Sequence, residues 1–381
     1  MDPKDFNNQD AGKTILTQNG FWVFIPNPLP PKFDWTISLI AINSEAEREL
    51  SHLSVLVSNF SFPQLLIPSF IRSEAVISSR IEGTKASLVD LYTYEISQPS
   101  FFERTDDVRE VHNYVKALEY GLERLKSLPV SLRLIRELHE KLMSGVRGGT
   151  LSPGEFRRSQ NWIGYIGSTP STATYVPPPV DEMNNALSEL EKFIHMQSDM
   201  PPLIRGALIH YQFEAIHPFL DGNGRVGRLL IVLLLSEWGL MQNPMLNLSE
   251  YIERYRQQYY DLLLNVSQKG AWEEWIKFIL RGIRDQSRAG VNRLERLRSL
   301  RSSYQSIIDT NRNPKRMTKV VDFLFSRPIL SVKQLSDELN LPVKTAGEYI
   351  NLLVTKGLLK EITGKSRNRI YRADEIFNVS Q

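Results

Sequence analysis

The sequence predicts a mainly α-helical fold: a helical bundle with a short β-hairpin flap, followed by a small winged helix-turn-helix domain. Three observations predict it. Apolar residues recur at intervals of three and four over long stretches, as in Ile37, Ile40 and Ala41, or Leu50, Leu53 and Leu56, or Val111, Tyr114 and Leu118. Between Gly145 and Val180 that period gives way to glycine, threonine, aromatics and the run Pro177-Pro178-Pro179. After about residue 314, three short helical patterns precede a basic hairpin, the layout of a winged helix-turn-helix. At 381 residues the chain is too long for one ordinary core and short for three, so two domains, with or without a small third, are expected.

Composition excludes several chemistries. Hydrophobic residues at 41% and charged ones at 23% describe a folded, soluble chain. The absence of cysteine removes disulfides, thiolate zinc sites, iron–sulfur ligation and a cysteine nucleophile together. The start, MDPKDFNNQD, lacks the basic region and apolar core of a secretory signal, so a cytoplasmic protein is expected. The apolar run Leu229 to Leu235 is far shorter than the roughly 20 residues a membrane helix needs, and no membrane partner is expected.

Element by element, residues 1–33 are polar and then Pro-rich, which predicts an extended N-terminal arm. Residues 34–145 read as amphipathic helices. In the following segment Trp162, Ile163, Tyr165 and Ile166 are the expected strand residues of the flap, 156–180. A helix from Pro202 to Ile216 is interrupted by His217-Pro218, and a second, apolar almost all round, starts near Gly224. Helices over Tyr251 to Leu264 and Trp272 to Ile279 follow, then an Arg-rich linker helix within 281–313 that ends in the linker Thr310 to Pro314. The last domain, 314–381, should contain helices at Val320 to Phe325, Val332 to Leu339 and Lys344 to Lys356, and a hairpin from Ile362 to Tyr371.

The informative segment is His217-Pro218-Phe219-Leu220-Asp221-Gly222-Asn223-Gly224-Arg225-Val226-Gly227-Arg228. Gly222 and Gly224 around Asn223 permit backbone angles that turn successive N–H groups inward, an anion nest at the mouth of the next helix. The helix dipole adds positive potential there, and Arg225 and Arg228, three apart, can reach the same anion. Asp221 beside a bound phosphate calls for a divalent cation between them, the usual Mg²⁺ arrangement. His217 is the group suited to accept a proton near neutral pH. A calcium loop does not fit: with Asp221 and Asn223 at its third and fifth positions, Phe219 and Leu230 would fall at the first and twelfth.

Residues 217–228 resemble the complete motif of the Fic (filamentation induced by cAMP) domain family, and the resemblance extends over roughly Phe33 to Ile279. It implies a Fic-type bundle, with a core at 146–280, and transfer of AMP from ATP to a Ser, Thr or Tyr hydroxyl of a protein, with release of pyrophosphate. His217 would take the hydroxyl proton, Asp221 would hold Mg²⁺, and Asn223 with the Gly222 and Gly224 backbone would cradle the phosphates. Arg225 and Arg228 would bind the outer phosphates. A kinase-like relative has lysine where Gly224 stands, so the glycine favours adenylylation. Tyr260, in the segment resembling the base-binding helix, would contact adenine. Ile163, Gly164 and Tyr165 would align the target segment by strand addition.

Ser78-Ser79-Arg80-Ile81-Glu82-Gly83 resembles the family's inhibitory helix, placed around residues 72–83. Gly83 suits a helix end, which leaves Glu82 where the dipole disfavours negative charge, and a cation would compensate. The resemblance names that cation as Arg228, so Ser78, Glu82 and Gly83 would form an intramolecular restraint. By analogy with some members, Glu82 would also orient water for removing AMP. The protein partner is unidentified; self-modification and a homodimer are compatible with the resemblance. The rival is a transcription regulator with a nucleotide-sensing core, because residues 281–381 hold 20 Lys and Arg against 10 Asp and Glu, whereas 1–280 hold 26 against 33. Lys344, Lys356, Lys365, Arg367 and Arg369 could meet DNA phosphates, although Val343 to Asn351 offers a single cation for base reading.

Overall fold

Polar caps and apolar stripes set the helical body. The computed structural model describes residues 1–60, 63–96, 105–146, 151–308 and 314–380, and the interior of the expected linker, 310–313, lies outside them. A short strand pair comes first, β1 (Gly12–Leu16) and β2 (Trp22–Pro26), antiparallel with Gly12 opposite Pro26. The expected N-terminal arm is thus partly a hairpin. Its Val23 and Phe24 are buried, and the Phe24 N–H donates to the Val176 carbonyl at 2.9 Å, so apolar side chains anchor the segment to the body.

Thr36 caps α1 (Ile37–Ser58) by accepting from the Leu39 N–H. Next come α2 (Pro63–Ile81), α3 (Leu88–Ile96), α4 (Thr105–Arg124) and α5 (Leu132–Met143), the last capped by Ser131. After the flap segment, α6 (Val180–His195) leads to α7 (Pro202–Ile216) and α8 (Asn223–Glu237), which pack together in the middle of the bundle. Both are buried on nearly every side. That is why their sequences lack a polar stripe.

The helix expected from Tyr251 to Leu264 is two: α9 (Leu248–Arg254) and α10 (Arg256–Lys269), broken at Tyr255. Conversely, the two helices expected on either side of residue 280 are one, α11 (Trp272–Ile308). It runs the length of α1 and binds it through Arg284 to Glu45 and Arg288 to Glu49, both 3.0 Å. Its glycines do not break it. They let neighbours approach: a Cβ on residue 282 would stand 2.8 Å from Leu248 and Tyr251.

The C-terminal part comprises α12 (Pro314–Ser326), β3 (Ile329–Ser331), α13 (Val332–Glu338), α14 (Val343–Thr355), β4 (Lys360–Glu361), β5 (Ile370–Arg372) and α15 (Asp374–Ser380). The strands form an antiparallel sheet in the order β3-β5-β4. Ser331 and Gln334 build a reciprocal capping box at α13. Sequence periodicity missed β3 and α15, each too short to show a period. α12 and α15 pack on both α11 and α2. No helix among the described residues is long and apolar enough to cross a membrane.

Candidate active site

His217 closes α7 in the left-handed conformation, φ 48° and ψ 62°. Few non-glycine residues adopt it, and here the surroundings enforce it. The His217 carbonyl accepts from Arg157 Nε at 3.0 Å and from Asn161 Nδ2 at 3.2 Å, and Asn161 Nδ2 also reaches the Phe219 carbonyl at 2.8 Å. On the imidazole, Nδ1 lies 3.3 Å from the Glu214 carbonyl. A proton on Nδ1 leaves Nε2 with its lone pair free, the tautomer a base requires. Burial, then the Arg157 charge, hold the imidazole down to about 4, against the Glu214 carbonyl and the carboxylates of Glu82 and Asp221. It is neutral at pH 7.

The loop from His217 to α8 is pinned from within. Asn223 is buried and spends its side chain on Phe219, accepting from its N–H and donating to its carbonyl, both at 2.8 Å. The amide therefore shapes the loop, and what Asn223 leaves open to a ligand is its backbone N–H at the start of α8. Residues 223 to 225 open the helix, where N–H groups have no intrahelical acceptor. Gly222, φ 79°, makes the entry turn. His139 of α5 stacks on Phe219 with ring centroids 3.7 Å apart, accepts from the Gly154 N–H, and therefore donates through Nε2 to the Asp221 carbonyl at 3.1 Å.

Asp221 is 40% exposed at its side chain, with Oδ1 accepting from Gly222 N–H at 2.6 Å and facing Arg225 at 3.4 Å. Among the described residues no cluster of three or more His, Asp or Glu is gathered to hold a metal. One exposed carboxylate suits Mg²⁺, which takes few protein ligands and completes its shell with phosphate oxygens and water. Arg225 differs from expectation. It is buried, with Nη1 2.9 Å from Glu110 of α4, so its guanidinium is committed to two carboxylates before any ligand arrives.

Arg228, also buried, meets the segment expected to restrain it. Nε donates to Ser78 Oγ at 2.8 Å, and Nη2 donates to the Ser78 carbonyl at 2.9 Å and to Glu82 Oε1 at 2.7 Å. α2 ends at Ile81, and Gly83 turns the chain with φ 98°. Burial raises the Glu82 carboxyl, but Arg228 outweighs it by charge and hydrogen bond and holds Glu82 below the usual range. Gly224 leaves room for this pair, because a methyl at that position would meet Glu82 Oε1 and push the carboxylate aside. Glu214 lies against Gly227 in the same way, and burial pushes its carboxyl up to about 8.

Tyr259 is buried, its hydroxyl 2.9 Å from His210 Nε2, whereas Tyr260 is 41% exposed on α10. The flap is not the expected hairpin. Ile163 and Tyr175 form one antiparallel bridge, with N–H to carbonyl distances of 2.8 and 3.0 Å, and no strand continues it. The intervening turn bonds to itself, Ser168 N–H to the Tyr165 carbonyl and Ala173 N–H to the Thr169 carbonyl, and Pro177 to Pro179 offer no donors for a ladder. Ile163, Gly164 and Tyr165 are all exposed there, and a Cβ on residue 164 would meet Ser168 and Ala173.

The structure therefore brings together His217, the 221–225 loop, Arg228, Ser78 and Glu82. Glu110, His139, Asn161 and Glu214 escaped the sequence reading, and Arg157 was seen only as part of the flap. Each is a polar residue without a local motif, and the partners of Glu110, His139, Asn161 and Arg157 lie on other elements.

Comparison with known proteins gives a consistent picture. A model described as Fic/DOC family N-terminal matches residues 40–123, and one described as Fic/DOC family matches residues 129–235. Proteins named protein adenylyltransferase Fic from Drosophila ananassae and Drosophila grimshawi are 28% and 29% identical to the chain over 177 residues, 46% of this chain. The match spans about a third of those relatives, 32% and 33%. The crystal structure of a Fic family protein from Desulfovibrio desulfuricans G20 shares the fold, with a TM-score of 0.59 and 22% identity over 91% of this chain and 98% of that one.

Proposed function

Because the chain belongs to the Fic/DOC family, we propose that it is a protein adenylyltransferase, moving AMP from ATP to a hydroxyl side chain of a protein and restrained by its own Glu82. The observation that carries this reading is a neutral His217 with Nε2 free, at the end of the loop that opens α8. The target hydroxyl oxygen attacks the α-phosphorus and its proton passes to His217 Nε2. The bond from that phosphorus to the bridging oxygen breaks, and pyrophosphate leaves. The α8 N-terminus and Arg228 stabilise the charge that accumulates on the leaving group. Asp221 would hold Mg²⁺, which neutralises phosphate charge when bound, and Arg225 orients Asp221 rather than gripping phosphate. Tyr260 offers a ring for adenine, and the exposed segment at Ile163 to Tyr165 would align a target through backbone groups other than those that Ile163 shares with Tyr175 and the Tyr165 carbonyl shares with Ser168.

Glu82 occupies the guanidinium that the outer phosphate needs, so the ground state is restrained. The C-terminal elements are read as a winged helix-turn-helix, and one observation favours nucleic acid as its partner. Lys365, Arg367 and Arg369 are exposed together between β4 and β5, with Lys344 and Lys356 exposed on and just after α14. One experiment separates the two readings. Labelled-ATP incorporation, read by mass as an AMP adduct, is expected to be low for wild type, at least about tenfold higher for Glu82→Gly, and absent for Glu82→Gly/His217→Ala, since removing a base costs about 10²–10⁴-fold. Lack of adduct in all three, with salt-sensitive duplex DNA binding, would replace the enzyme by a regulator.

A further inference from the structure

Arg157 is 3% exposed, and its neighbours are unusual for a buried cation. Every named bond of its guanidinium ends on a backbone carbonyl: Nε on His217 at 3.0 Å, Nη1 on Ser159 at 3.2 Å and Nη2 on Pro178 at 2.5 Å. Its own N–H donates to the Pro218 carbonyl at 2.9 Å. Among the described residues no carboxylate forms an ion pair with it, and burial brings it down to about 10. A buried charge without a counter-ion is a poor stabiliser, and an apolar side chain of similar volume usually serves stability better. The position of the charge therefore calls for another explanation.

That explanation lies at His217. The His217 carbonyl is the acceptor shared by Arg157 and Asn161, and it belongs to the residue held at φ 48°. Fixing that carbonyl fixes the peptide plane after His217. With the ring tied to Glu214 on the other side, the direction of Nε2 is set. We infer that Arg157 is a positioning residue for the proton acceptor, holding His217 left-handed through its carbonyl while supplying an uncompensated positive charge beside the imidazole. The inference rests on His217 as the base. The charged and polar groups that act on His217 are Arg157 from the flap segment, the Glu214 carbonyl from α7, Glu82 from the end of α2 and Asp221 from the loop. After burial, Arg157 is the one that favours the neutral ring; the other three favour the cation.

The test uses the full chain carrying Glu82→Gly, with Arg157→Gln or Arg157→Lys added. Rates with labelled ATP are measured between pH 4 and 8, and the His217 ring is titrated by NMR after ¹³C labelling of histidine, its signal assigned with His217→Ala. Arg157→Gln should move the His217 midpoint up from about 4, part of the way to the free imidazole value of about 6.5 because burial still holds it down, and lower kcat about a hundredfold, with the KM for ATP within about twofold. Arg157→Lys should leave the midpoint low and cost about tenfold in kcat, since it restores charge but not the fork. A folded Arg157→Gln with an unmoved midpoint and kcat within about twofold would reduce Arg157 to a flap tie and overturn the proposal. Should Arg157→Gln fail to fold, Arg157→Lys decides: undiminished kcat overturns it, a loss at unchanged midpoint supports it. If Glu82→Gly incorporates no AMP, the transferase reading fails instead, and the midpoint alone still tests whether Arg157 controls the ring.

Discussion

Residues in this site act in pairs whose members come from distant parts of the chain. Arg225 and Glu110 are both 4% exposed at their side chains and 2.9 Å apart, and Arg225 in turn faces Asp221. Removing one member of a buried pair costs more than the pair was worth, because the other charge is left without solvent or partner. Glu110→Ala is expected to destabilise the protein by about 3–5 kcal/mol, read by urea unfolding, and to weaken activity at low Mg²⁺ most as Asp221 loses its orientation. A loss below about 0.5 kcal/mol, the range of an ordinary surface substitution, would remove Arg225 from this role. The loop motif made Asp221 and Arg225 visible as candidates. It could not show that Arg225 is already committed, because Glu110 stands 115 positions away on an amphipathic helix where any polar residue would look like solvent-facing surface.

At the scale of elements, α7 and α8 meet so closely that their contact sets what may stand at each position. Glu214 Oε1 and His210 of α7 occupy the space a side chain on residue 227 would fill. Gly227→Ala should cost about 1–3 kcal/mol by overpacking, and Gly227→Ala/Glu214→Ala should recover part of it in a double-mutant cycle; strict additivity would show that the two positions do not share this space. The same helices display how periodicity succeeds and fails. α7 was legible from Pro202 to Ile216 because proline starts it and His217-Pro218 ends it. The break at Tyr255 and the continuity of α11 were not, since no Pro or Gly marks the first and tertiary packing against α1 carries the second. The flap failed as a hairpin for a related reason: beyond the Ile163–Tyr175 bridge, one side bonds to itself in turns and the other runs into prolines that have no N–H to donate.

For the whole molecule, α2 links the parts. Its C-terminal end delivers Ser78 and Glu82 to Arg228, while α12 and α15 pack along it. The junction is locked by Glu95, which accepts from Arg72 of α2 and lies 3.0 Å from Arg327 after α12. Burial raises the Glu95 carboxyl, but hydrogen bonding to His112 and Arg72 and the charges of Arg72 and Arg327 bring it down to about 2. A depressed carboxyl contributes its stability above the unfolded value of about 4.5 and loses it as pH falls toward 2. Urea midpoints are expected to fall over that window. Glu95→Gln should flatten the slope and cost about 3–5 kcal/mol at pH 7, whereas an unchanged acid profile would show that the junction does not depend on this carboxylate. The sequence by itself determined the helical class and singled out the 217–228 loop, with its proposed base, proposed metal carboxylate and nest, and the Ser78–Gly83 segment, because each is a short-range pattern of residue type and spacing. The tertiary structure brought the expected Glu82–Arg228 pair to 2.7 Å, and it alone decided that Arg225 belongs to Glu110, that the Asn223 amide serves the loop, and that Arg157 and Asn161 hold the His217 carbonyl. Apart from the local Asn223–Phe219 contact, these join residues far apart in the chain, and their strength comes from burial, which spacing does not encode.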